Sequence, residues 1–499
     1  MTSKYDNANE MRKDLENQPE NFWSKRGERM AFRLFKQASA RVPAYHDFLK
    51  KKKVNPDKIK TISDFSKVPF VDKKNYLSAY PIEKLCWDGN IGSMDTISLS
   101  SGSSGVPFFW LRGKEQEQET ALSHELFLLD SFKVDKKSTL FIVSFAMGMW
   151  VAGTLTHRAV EDISSRYNMT VIAPGINKND VLNIVKKIGN KYDQIIVAGY
   201  PPFVKDIIDE GETQEINWGK YQVKFLFAAE AFSEGWRDYL YKKVSSKNPL
   251  EDSLNIYGTA DALILGHETP LSILIRRKAM IKSDIYKTLF SSEERIPTLV
   301  QYNPALRYFE QIGKNLIFTT SSGIPLVRYN IGDEGGLIKF SSMNKIFSSF
   351  NIDLNKEAQN QKISTWHLPF LYVFGRDDST ATLYGINIYP ETIREAINSG
   401  GIQDHVSGKF TILTKSNNNF NQYLEVNVEL KNKTENYPPD LKNKIKETVT
   451  NMLKLKNNEY NELYKSLNKK AEPEIKLCSY GDKKFFVSGV KQKWTKREV

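Results

Sequence analysis

Four serines and two glycines lie close together in the segment Ser100-Ser-Gly-Ser-Ser-Gly-Val-Pro107, directly after a strand-like run. Glycine lets the backbone turn tightly and direct its N–H groups toward a ligand. The serine hydroxyls can donate hydrogen bonds to phosphate oxygens. The segment therefore predicts a phosphate-binding loop. A flexible Ser/Gly linker is the alternative that the same composition allows.

The sequence lacks two other phosphate-binding motifs. No Gly-Lys pair is followed by serine or threonine, and the pattern G-x-G-x-x-G does not occur. A Walker A loop and a dinucleotide-binding turn depend on those residues. We therefore do not expect a P-loop kinase or a Rossmann dehydrogenase.

The charge balance favours anionic ligands. Lysine and arginine together number 71 against 59 aspartates and glutamates, which gives a formal net charge of +12. The densest basic runs, Lys50 to Lys53 and the lysines between Lys442 and Lys456, are short. Nucleic-acid binding is therefore not expected, and a polyanionic small substrate or an acidic protein partner is favoured.

Cysteine content and the amino-terminal segment indicate the compartment. Only Cys86 and Cys478 are present, too few for a disulfide framework, and residues 1–26 lack the apolar core of a signal peptide. The uncharged stretch from Ser138 to Thr156 is interrupted by glycines and is predicted to be a buried strand that enters a loop. We expect a cytoplasmic protein with no membrane span.

Short apolar runs alternate with helix-like segments in the middle of the chain. The runs lie at Thr139 to Val143, Gln194 to Val197, Val223 to Phe227 and Ser253 to Tyr257. This alternation predicts a parallel sheet with helical crossovers. Closer to the amino terminus, residues 21–41 carry apolar side chains at helical spacing and predict a helix that ends before Pro43.

A change in composition predicts a domain boundary. Residues 343–364 are rich in Asn, Lys and Gln, and Gly375-Arg-Asp-Asp378 follows a short apolar run. Farther on, residues 423–430 alternate in hydrophobicity and residues 441–452 repeat at helical spacing. The predicted fold class is α/β, with a large domain of mostly parallel sheets and helices over residues 1–376. A small α+β domain is predicted over residues 377–499.

The Ser/Gly segment resembles the signature loop of adenylate-forming enzymes, and later segments resemble other motifs of that superfamily in the same order. These are Ala228-Ala-Glu-Ala-Phe-Ser233, Tyr257-Gly-Thr-Ala-Asp261, Pro325-Leu-Val-Arg-Tyr-Asn-Ile-Gly-Asp333, and Gly375-Arg-Asp-Asp378 with Gly385-Ile-Asn-Ile-Tyr-Pro390. The amino-acid sequences of these segments are similar to the motifs of the phenylacetate-coenzyme A ligase branch, including its capsule-locus relatives.

The resemblance implies a ligase that works in two steps. A carboxylate attacks the α-phosphate of ATP and expels pyrophosphate, and a thiol then captures the acyl-adenylate. The thiol would belong to coenzyme A or to the phosphopantetheine of an acidic acyl-carrier protein, since a basic surface suits both. A degenerate relative that only binds nucleotide is an alternative. A homodimer is the default expectation for the assembly.

The resemblance also implies how ATP is held. Tyr257 would offer its ring to adenine, Asp333 would accept hydrogen bonds from the ribose hydroxyls, and Arg376 would reach the ribose or a phosphate. Ser101 and Ser104 are expected to act in catalysis by stabilising charge on the leaving group. The full predicted nucleotide site is Ser100, Ser101, Gly102, Ser103, Ser104, Gly105, Ala229, Glu230, Tyr257, Gly258, Thr259, Asp333 and Arg376.

Two expected catalytic residues depart from the superfamily pattern. Asp261 stands where relatives carry the glutamate that binds Mg²⁺, and it is predicted to be the metal ligand although it is one methylene shorter. The carboxy-terminal catalytic lysine is either Lys491 or Lys493, and Lys491 is favoured because Lys-Gln-Lys then mimics the Lys-x-Arg of relatives. His267 has no second histidine or cysteine nearby, so a core or capping role is favoured over zinc binding.

The resemblance further implies an acyl pocket and a hinge. The carboxylic acid, aryl or otherwise apolar, would lie among the predicted pocket residues Phe145, Met147, Gly148, Trp150, Tyr200 and Ala228. Their apolar and aromatic character suits such a ligand. Asp378 is the predicted hinge about which the small domain moves between the two half-reactions.

Overall fold

The computed structural model describes residues 8–92, 94–99, 108–290, 297–376, 381–431, 437–482, 484–486 and 495–497. The predicted site residues outside these ranges are Ser100, Ser101, Gly102, Ser103, Ser104, Gly105, Asp378, Lys491 and Lys493. The side chain of Arg376 is likewise outside the description. The roles of all these residues stay predictions.

The described strands form one large sheet, one small sheet and two short hairpins. In chain order they are β1 (Thr96–Leu99), β2 (Phe109–Arg112), β3 (Thr139–Ser144), β4 (Met169–Ile172), β5 (Gln194–Gly199), β6 (Val223–Ala228), β7 (Ser253–Thr259), β8 (Leu263–His267), β9 (Thr298–Gln301), β10 (Tyr308–Ile312), β11 (Asn315–Thr320), β12 (Leu326–Ile338), β13 (Phe370–Arg376), β14 (Ala381–Leu383), β15 (Ile386–Ile388), β16 (Val406–Ser416), β17 (Gln422–Leu430), β18 (Glu474–Cys478) and β19 (Thr495–Arg497).

The described helices pack against the two sheets and against one another. They are α1 (Ala8–Asn17), α2 (Glu20–Arg41), α3 (Pro43–Lys51), α4 (Ile62–Phe65), α5 (Ile82–Leu85), α6 (Lys114–Asp130), α7 (Val151–Ser164), α8 (Lys178–Ile188), α9 (Pro201–Thr213), α10 (Glu234–Val244), α11 (Pro270–Ile281), α12 (Ser283–Phe290), α13 (Phe340–Ser349), α14 (Leu354–Asn360), α15 (Pro390–Ile397), α16 (Leu441–Lys456) and α17 (Asn458–Leu467).

The large sheet has a parallel half and an antiparallel half. Its strand order is β10-β11-β12-β13-β9-β8-β7-β6-β5-β3-β4. From β4 to β7 the neighbours are parallel, whereas from β7 to β10 they are antiparallel. β3, β5, β6 and β7 contain the four apolar runs, so the predicted parallel sheet is confirmed. Every residue of β3 and β5 is buried, as expected for strands covered by helices on both faces.

Local chemistry fixes where the helices beside this sheet begin. Pro201 opens α9, where its fixed φ fits a helix and its missing N–H costs no hydrogen bond. The Ser233 side chain accepts a hydrogen bond from the backbone N–H of Trp236 at 3.1 Å and caps α10. Thr269 and Ser272 form a capping box at the start of α11. The loops after β5 and β6 are therefore short, and each is followed at once by a helix, α9 or α10.

The small sheet belongs to the carboxy-terminal part of the chain. Its order is β18-β17-β16-β19; α15 and α16 pack against it, and α17 packs against α16. The predicted strand at 423–430 is β17 and the predicted helix at 441–452 is α16, so both are confirmed. Val426, Val428, Ile445 and Val449 are all fully buried between them. The boundary between residues 376 and 377 stays a prediction, because the described chain stops at Arg376 and resumes at Ala381.

Two polar or uncharged segments have well-defined structures. The stretch from Ser138 to Thr156 forms β3 and the first turns of α7, as the strand prediction required. The Asn/Lys/Gln-rich residues 343–364 are largely helical, in α13 and α14, because Met343, Phe347 and Leu354 give these helices a buried face. Among the described helices, none has the length and apolarity to cross a membrane.

A cluster of buried charges joins α10, β7 and α11. Nη2 of Arg237 donates to both carboxylate oxygens of Glu268, at 2.7 and 2.9 Å. Nε of Arg237 lies 3.0 Å from Oε2 of Glu234, and Arg276 contacts Oε1 of the same carboxylate. Glu268 also accepts a hydrogen bond from the backbone N–H of Asn255 at 2.9 Å. Because buried charges are stable only when paired, these contacts fix α10 against β7.

We expect Arg237→Met to lower the free energy of unfolding by about 3–5 kcal/mol, because it leaves buried carboxylates with less compensating charge. Arg41→Met is the control, since Arg41 and its partner Asp88 are 52% and 57% exposed and such a pair contributes about 1 kcal/mol or less. Chemical unfolding followed by circular dichroism measures both values. Equal losses in the two variants would contradict the structural role of the buried cluster.

Candidate active site

A cavity of about 860 Å³ opens at the carboxyl ends of the parallel strands. β3 ends at Ser144, β5 at Gly199, β6 at Ala228 and β7 at Thr259. Parallel strands bring these ends to one edge of the sheet. In the sheet, β3 lies between β4 and β5, so the connections that follow β3 and β5 lead away in opposite directions. A crevice forms between the loops after these two strands. The topology itself therefore creates the cavity.

Most of the predicted site residues that the structure describes line this one cavity. They are Trp150, Tyr200, Ala228, Ala229, Glu230, Tyr257, Gly258, Thr259, Asp261 and Asp333. The remaining three, Phe145, Met147 and Gly148, are not among its lining residues. Phe145 is buried behind Tyr200, and the two rings meet edge-on with centroids 5.1 Å apart. Phe145 therefore supports the wall from behind.

The predicted phosphate-binding loop is flanked by residues of the same cavity. Leu99, at the end of β1, and Phe108, just before β2, both line it. β1 and β2 pair antiparallel, with Leu99 opposite Phe109. The described residues on either side of the Ser/Gly segment therefore belong to the cavity wall.

Asp333 and Tyr257 form a hydrogen-bonded pair in the cavity. The Tyr257 hydroxyl donates to Oδ2 of Asp333 at 2.5 Å, and Asp333 is only 5% exposed. Tyr257 lies in β7 and Asp333 in β12, on strands from the two halves of the sheet. The bond holds the aromatic ring and the carboxylate side by side, so that one ligand can contact both.

Asp261 lies in the turn between β7 and β8 with polar partners around it. Its Oδ2 accepts a hydrogen bond from the Tyr329 hydroxyl at 2.7 Å. The neighbouring carbonyl of Ala260 accepts a hydrogen bond from the buried guanidinium of Arg112. Burial lowers the pKa of Arg112 to about 9, although the charge of Asp261 opposes this shift. A buried cation beside a buried carboxylate is suited to hold anionic groups in position.

The small domain closes onto the cavity at Glu230. The backbone N–H of Gly385 donates to Oε1 of Glu230, and Nε2 of Gln422 donates to Oε2 at 2.9 Å. Ala229, just before it, has a φ of 76°, a strained value for a residue with a Cβ. A Cβ added at Gly385 would lie 2.5 Å from Cδ1 of Tyr200, so only glycine permits this approach. Residues of both domains therefore line one cavity.

Sequence reasoning missed several residues that line or support the cavity. Thr120 and His124 of α6, Lys415, Gln422 and Glu459 line it, and Arg112 supports Ala260 from behind. Tyr329 could have been found, because it lies within the segment from Pro325 to Asp333 that carries the resemblance. The others stand in segments without a recognisable motif. His267, in contrast, is partly buried and packs against aromatic rings, with its ring 5.3 Å from that of Phe127 and 5.9 Å from that of Trp366, which fits the expected structural role.

Comparison with known proteins gives structural neighbours. No family model and no curated protein sequence matches the chain. A crystal structure of 2-hydroxyisobutyryl-CoA ligase with 2-HIB-AMP and CoA in the thioesterification state matches with a TM-score of 0.67 and 14% identity, over 97% of this chain and 92% of that one. The same ligase in the postadenylation state with R3-HIB-AMP gives 0.56 and 13% identity, over 100% and 94%. Its open conformation gives 0.54 and 13%, over 96% and 93%.

The chain therefore shares the fold of 2-hydroxyisobutyryl-CoA ligase over nearly its whole length. The predicted α/β fold class is confirmed. The narrower resemblance to the phenylacetate-coenzyme A ligase branch stays a prediction.

Glu459 brings an unusual carboxylate to the cavity. It lies in the first turn of α17 and is half-buried in the small domain. Among the described residues, no hydrogen bond or ion pair reaches its carboxylate, and burial raises its pKa to about 8. Its charge is therefore costly in this closed arrangement.

We expect Glu459→Gln to stabilise the protein increasingly as the pH rises. Below the unfolded-state pKa of about 4.5, the Glu459 carboxyl is protonated in both the folded and the unfolded state. Between pH 4.5 and about 8, the folded state keeps this proton whereas the unfolded state loses it. The free energy of unfolding of the wild type therefore falls as the pH rises through this range. The free energy of unfolding of Glu459→Gln should exceed that of the wild type by roughly 1–3 kcal/mol above pH ~8. Unfolding at several pH values measures it.

Glu462→Gln on the same helix is the matched control, because Glu462 is 52% exposed and paired with Lys465. Its effect on stability should change little with pH over the same range. A pH-independent difference between Glu459→Gln and the wild type would contradict the buried-carboxylate interpretation.

Proposed function

We propose that this protein activates a carboxylic acid with ATP, releases pyrophosphate and transfers the acyl group to a thiol, that of coenzyme A. The observation that carries the proposal is the convergence of the motif residues. Segments that lie far apart in the sequence, from Trp150 to Asp333, supply side chains to a single cavity. The neighbours with this fold include a ligase crystallised with an acyl-AMP and CoA, which supports the same reaction class here.

In the proposed adenylation step, one side of the cavity would bind the nucleoside. Asp333 would accept hydrogen bonds from the ribose hydroxyls while Tyr257, held by Asp333, presents its ring to adenine. The Ser/Gly loop, whose described neighbours Leu99 and Phe108 line the cavity, would donate hydrogen bonds to the phosphates. Lys491 would neutralise charge at the reacting phosphate. The acid would lie beyond, along the wall that contains Trp150 and Tyr200.

Asp261 would hold Mg²⁺. Within the described residues, no group of three or more His, Cys, Asp or Glu side chains converges on a metal position. A lone carboxylate fits Mg²⁺, which keeps several waters and binds substrate phosphates in addition to one or two carboxylates. When bound, the ion would neutralise charge on the phosphates. The Tyr329 hydroxyl would orient the carboxylate of Asp261 for that purpose.

In the proposed thioester step, the thiol would enter between the domains. The contacts of Gly385 and Gln422 with Glu230 join the carboxy-terminal part of the chain to the cavity, and such a closed arrangement would suit thiol capture. The net charge of +12 suits the phosphates of coenzyme A. An acidic acyl-carrier protein as the acceptor, a homodimeric assembly, a hinge at Asp378 and a cytoplasmic location remain predictions from the sequence. Presenting each acceptor with a synthetic acyl-adenylate distinguishes coenzyme A from a carrier protein.

The direct test is acid-dependent release of pyrophosphate from ATP across a broad panel of carboxylic acids. Release that requires an acid, followed by thioester formation with coenzyme A, supports the proposal. Tight ATP binding without release for any acid would instead favour the nucleotide-binding relative.

Asp333→Ala should weaken ATP binding by roughly 10- to 100-fold, because hydrogen bonds to a charged acceptor are lost. Calorimetry with ATP measures the dissociation constant. Asp238→Ala is the control, since Asp238 is 57% exposed and paired with Arg277 on the surface. An unchanged ATP affinity in Asp333→Ala would exclude the ribose role.

Two variants should separate the half-reactions. Lys491→Ala should abolish pyrophosphate release and leave thiolysis of a preformed acyl-adenylate intact. Gly385→Ala should leave pyrophosphate release intact and abolish thiolysis of the acyl-adenylate, because the added Cβ would meet the ring of Tyr200 in the closed arrangement. Half-reaction assays with a synthetic adenylate measure both.

Matched controls accompany both variants. Gly313 also has a positive φ, of 60°, but a Cβ there meets no atom within 4 Å, so Gly313→Ala should slow neither step. Unchanged pyrophosphate release in Lys491→Ala combined with loss in Lys493→Ala would assign the catalytic role to Lys493.

A further inference from the structure

The wall of the cavity formed by α6 and α7 differs from the nucleotide side. Its lining residues are Thr120 and His124 from α6, Trp150 just before α7, and Val151, Ala152, Leu155 and Thr156 from α7. None of them carries a carboxylate, an ammonium or a guanidinium group. Apart from the hydroxyls of the two threonines and the indole N–H of Trp150, the polar group on this wall is the imidazole of His124.

The hydrogen bonding of His124 determines which of its nitrogens is protonated. Nδ1 lies 2.8 Å from the carbonyl oxygen of Thr120. A carbonyl oxygen only accepts hydrogen bonds, so Nδ1 carries the proton and donates it. Burial lowers the pKa of His124 to about 4, and the ring is therefore neutral near pH 7. In a neutral ring with Nδ1 protonated, Nε2 is an acceptor.

That acceptor has no donor in the described part of the chain. His124 is 2% exposed, and Nε2 makes no hydrogen bond with any described residue. The indole N–H of Trp110, which also lines the cavity and is 2% exposed, is likewise without an acceptor among the described residues. Buried polar atoms are rarely left unpaired in folded proteins, so both point to a ligand with polar groups.

We propose that His124 determines acid specificity by accepting a hydrogen bond from a hydroxyl group on the acyl part of the substrate. The substrate class is then a hydroxylated carboxylic acid instead of a purely apolar one. A hydroxyl is favoured over an ammonium group because this wall holds no acid side chain to balance a positive charge. The inference rests on the proposed function and names the substrate of that same cavity.

The test uses acids that differ by a single hydroxyl. Suitable probes are 4-hydroxybenzoate with benzoate, 4-hydroxyphenylacetate with phenylacetate, and 3- or 4-hydroxybutyrate with butyrate. In the wild type, at least one hydroxylated acid should exceed its partner by roughly 10- to 100-fold in kcat/KM for pyrophosphate release, mainly through KM. Calorimetry of the same acids reports binding independently of turnover.

Variants then assign the preference to His124. His124→Phe should remove it, whereas His124→Gln, which keeps an acceptor near the position of Nε2, should retain part of it. His267→Phe is the matched control, because His267 is a partly buried histidine whose pKa burial also lowers to about 4, but it does not line this cavity. It should leave the preference unchanged. Thermal melting verifies that each variant is folded.

The outcomes separate the inference from the proposed function. Acid-dependent pyrophosphate release with no hydroxyl preference, or a preference that survives in His124→Phe, overturns the inference and leaves the function standing. Absence of release with every acid overturns the function. In that case calorimetry decides the inference: a His124-dependent hydroxyl preference in binding supports it, and the absence of such a preference overturns it.

Discussion

The arrangement of the site depends on the buried carboxylate of Glu268. It accepts hydrogen bonds from Arg237 and from the backbone of Asn255, so that α10 and β7 keep a fixed spacing. The Asn255 side chain in turn donates to the carbonyl of Glu230 at 2.9 Å. These hydrogen bonds thereby hold the loop after β6 and the strand β7, which carries Tyr257, in a fixed position relative to α10. A buried, paired carboxylate can do this because leaving either partner alone would be costly.

The same series of contacts reaches the small domain. Glu230, held through its carbonyl by the large domain, binds Gly385 and Gln422 through its carboxylate. A motif residue that was predicted to contact the nucleotide therefore also joins the two domains. Other contacts between the domains include the polar pairs Lys205 with Asn421 at 2.6 Å and Tyr384 with Asp206 at 3.1 Å, and the packed rings of Tyr239 and Phe420. An interface of that kind can open and re-form, which suits the two-step reaction proposed above.

Residues with a local signature were predictable, and residues without one were not. The apolar runs of β3, β5, β6 and β7 gave the parallel sheet, because a strand buried on both faces has a continuous apolar sequence. Tyr257, Asp261 and Asp333 were found because they stand in ordered motifs. His124 and Glu459 were not, because each lies on a helix whose sequence shows only that the helix exists. Phe145 was expected in the cavity, yet the side chain packs behind Tyr200.

The sequence by itself determined the class of fold, the four apolar strands of the parallel half of the sheet and most of the motif residues that line the cavity, since these follow from hydrophobic periodicity and short motifs. The tertiary structure decided which side chains share the cavity and in what chemical state. Tyr257 and Asp333 are brought together by strands from opposite halves of the sheet. Burial among residues distant in sequence raises the pKa of Glu459 and leaves Nε2 of His124 without a hydrogen-bond partner in the described part of the chain. Desolvation depends on all the neighbours in space, and no local pattern records them.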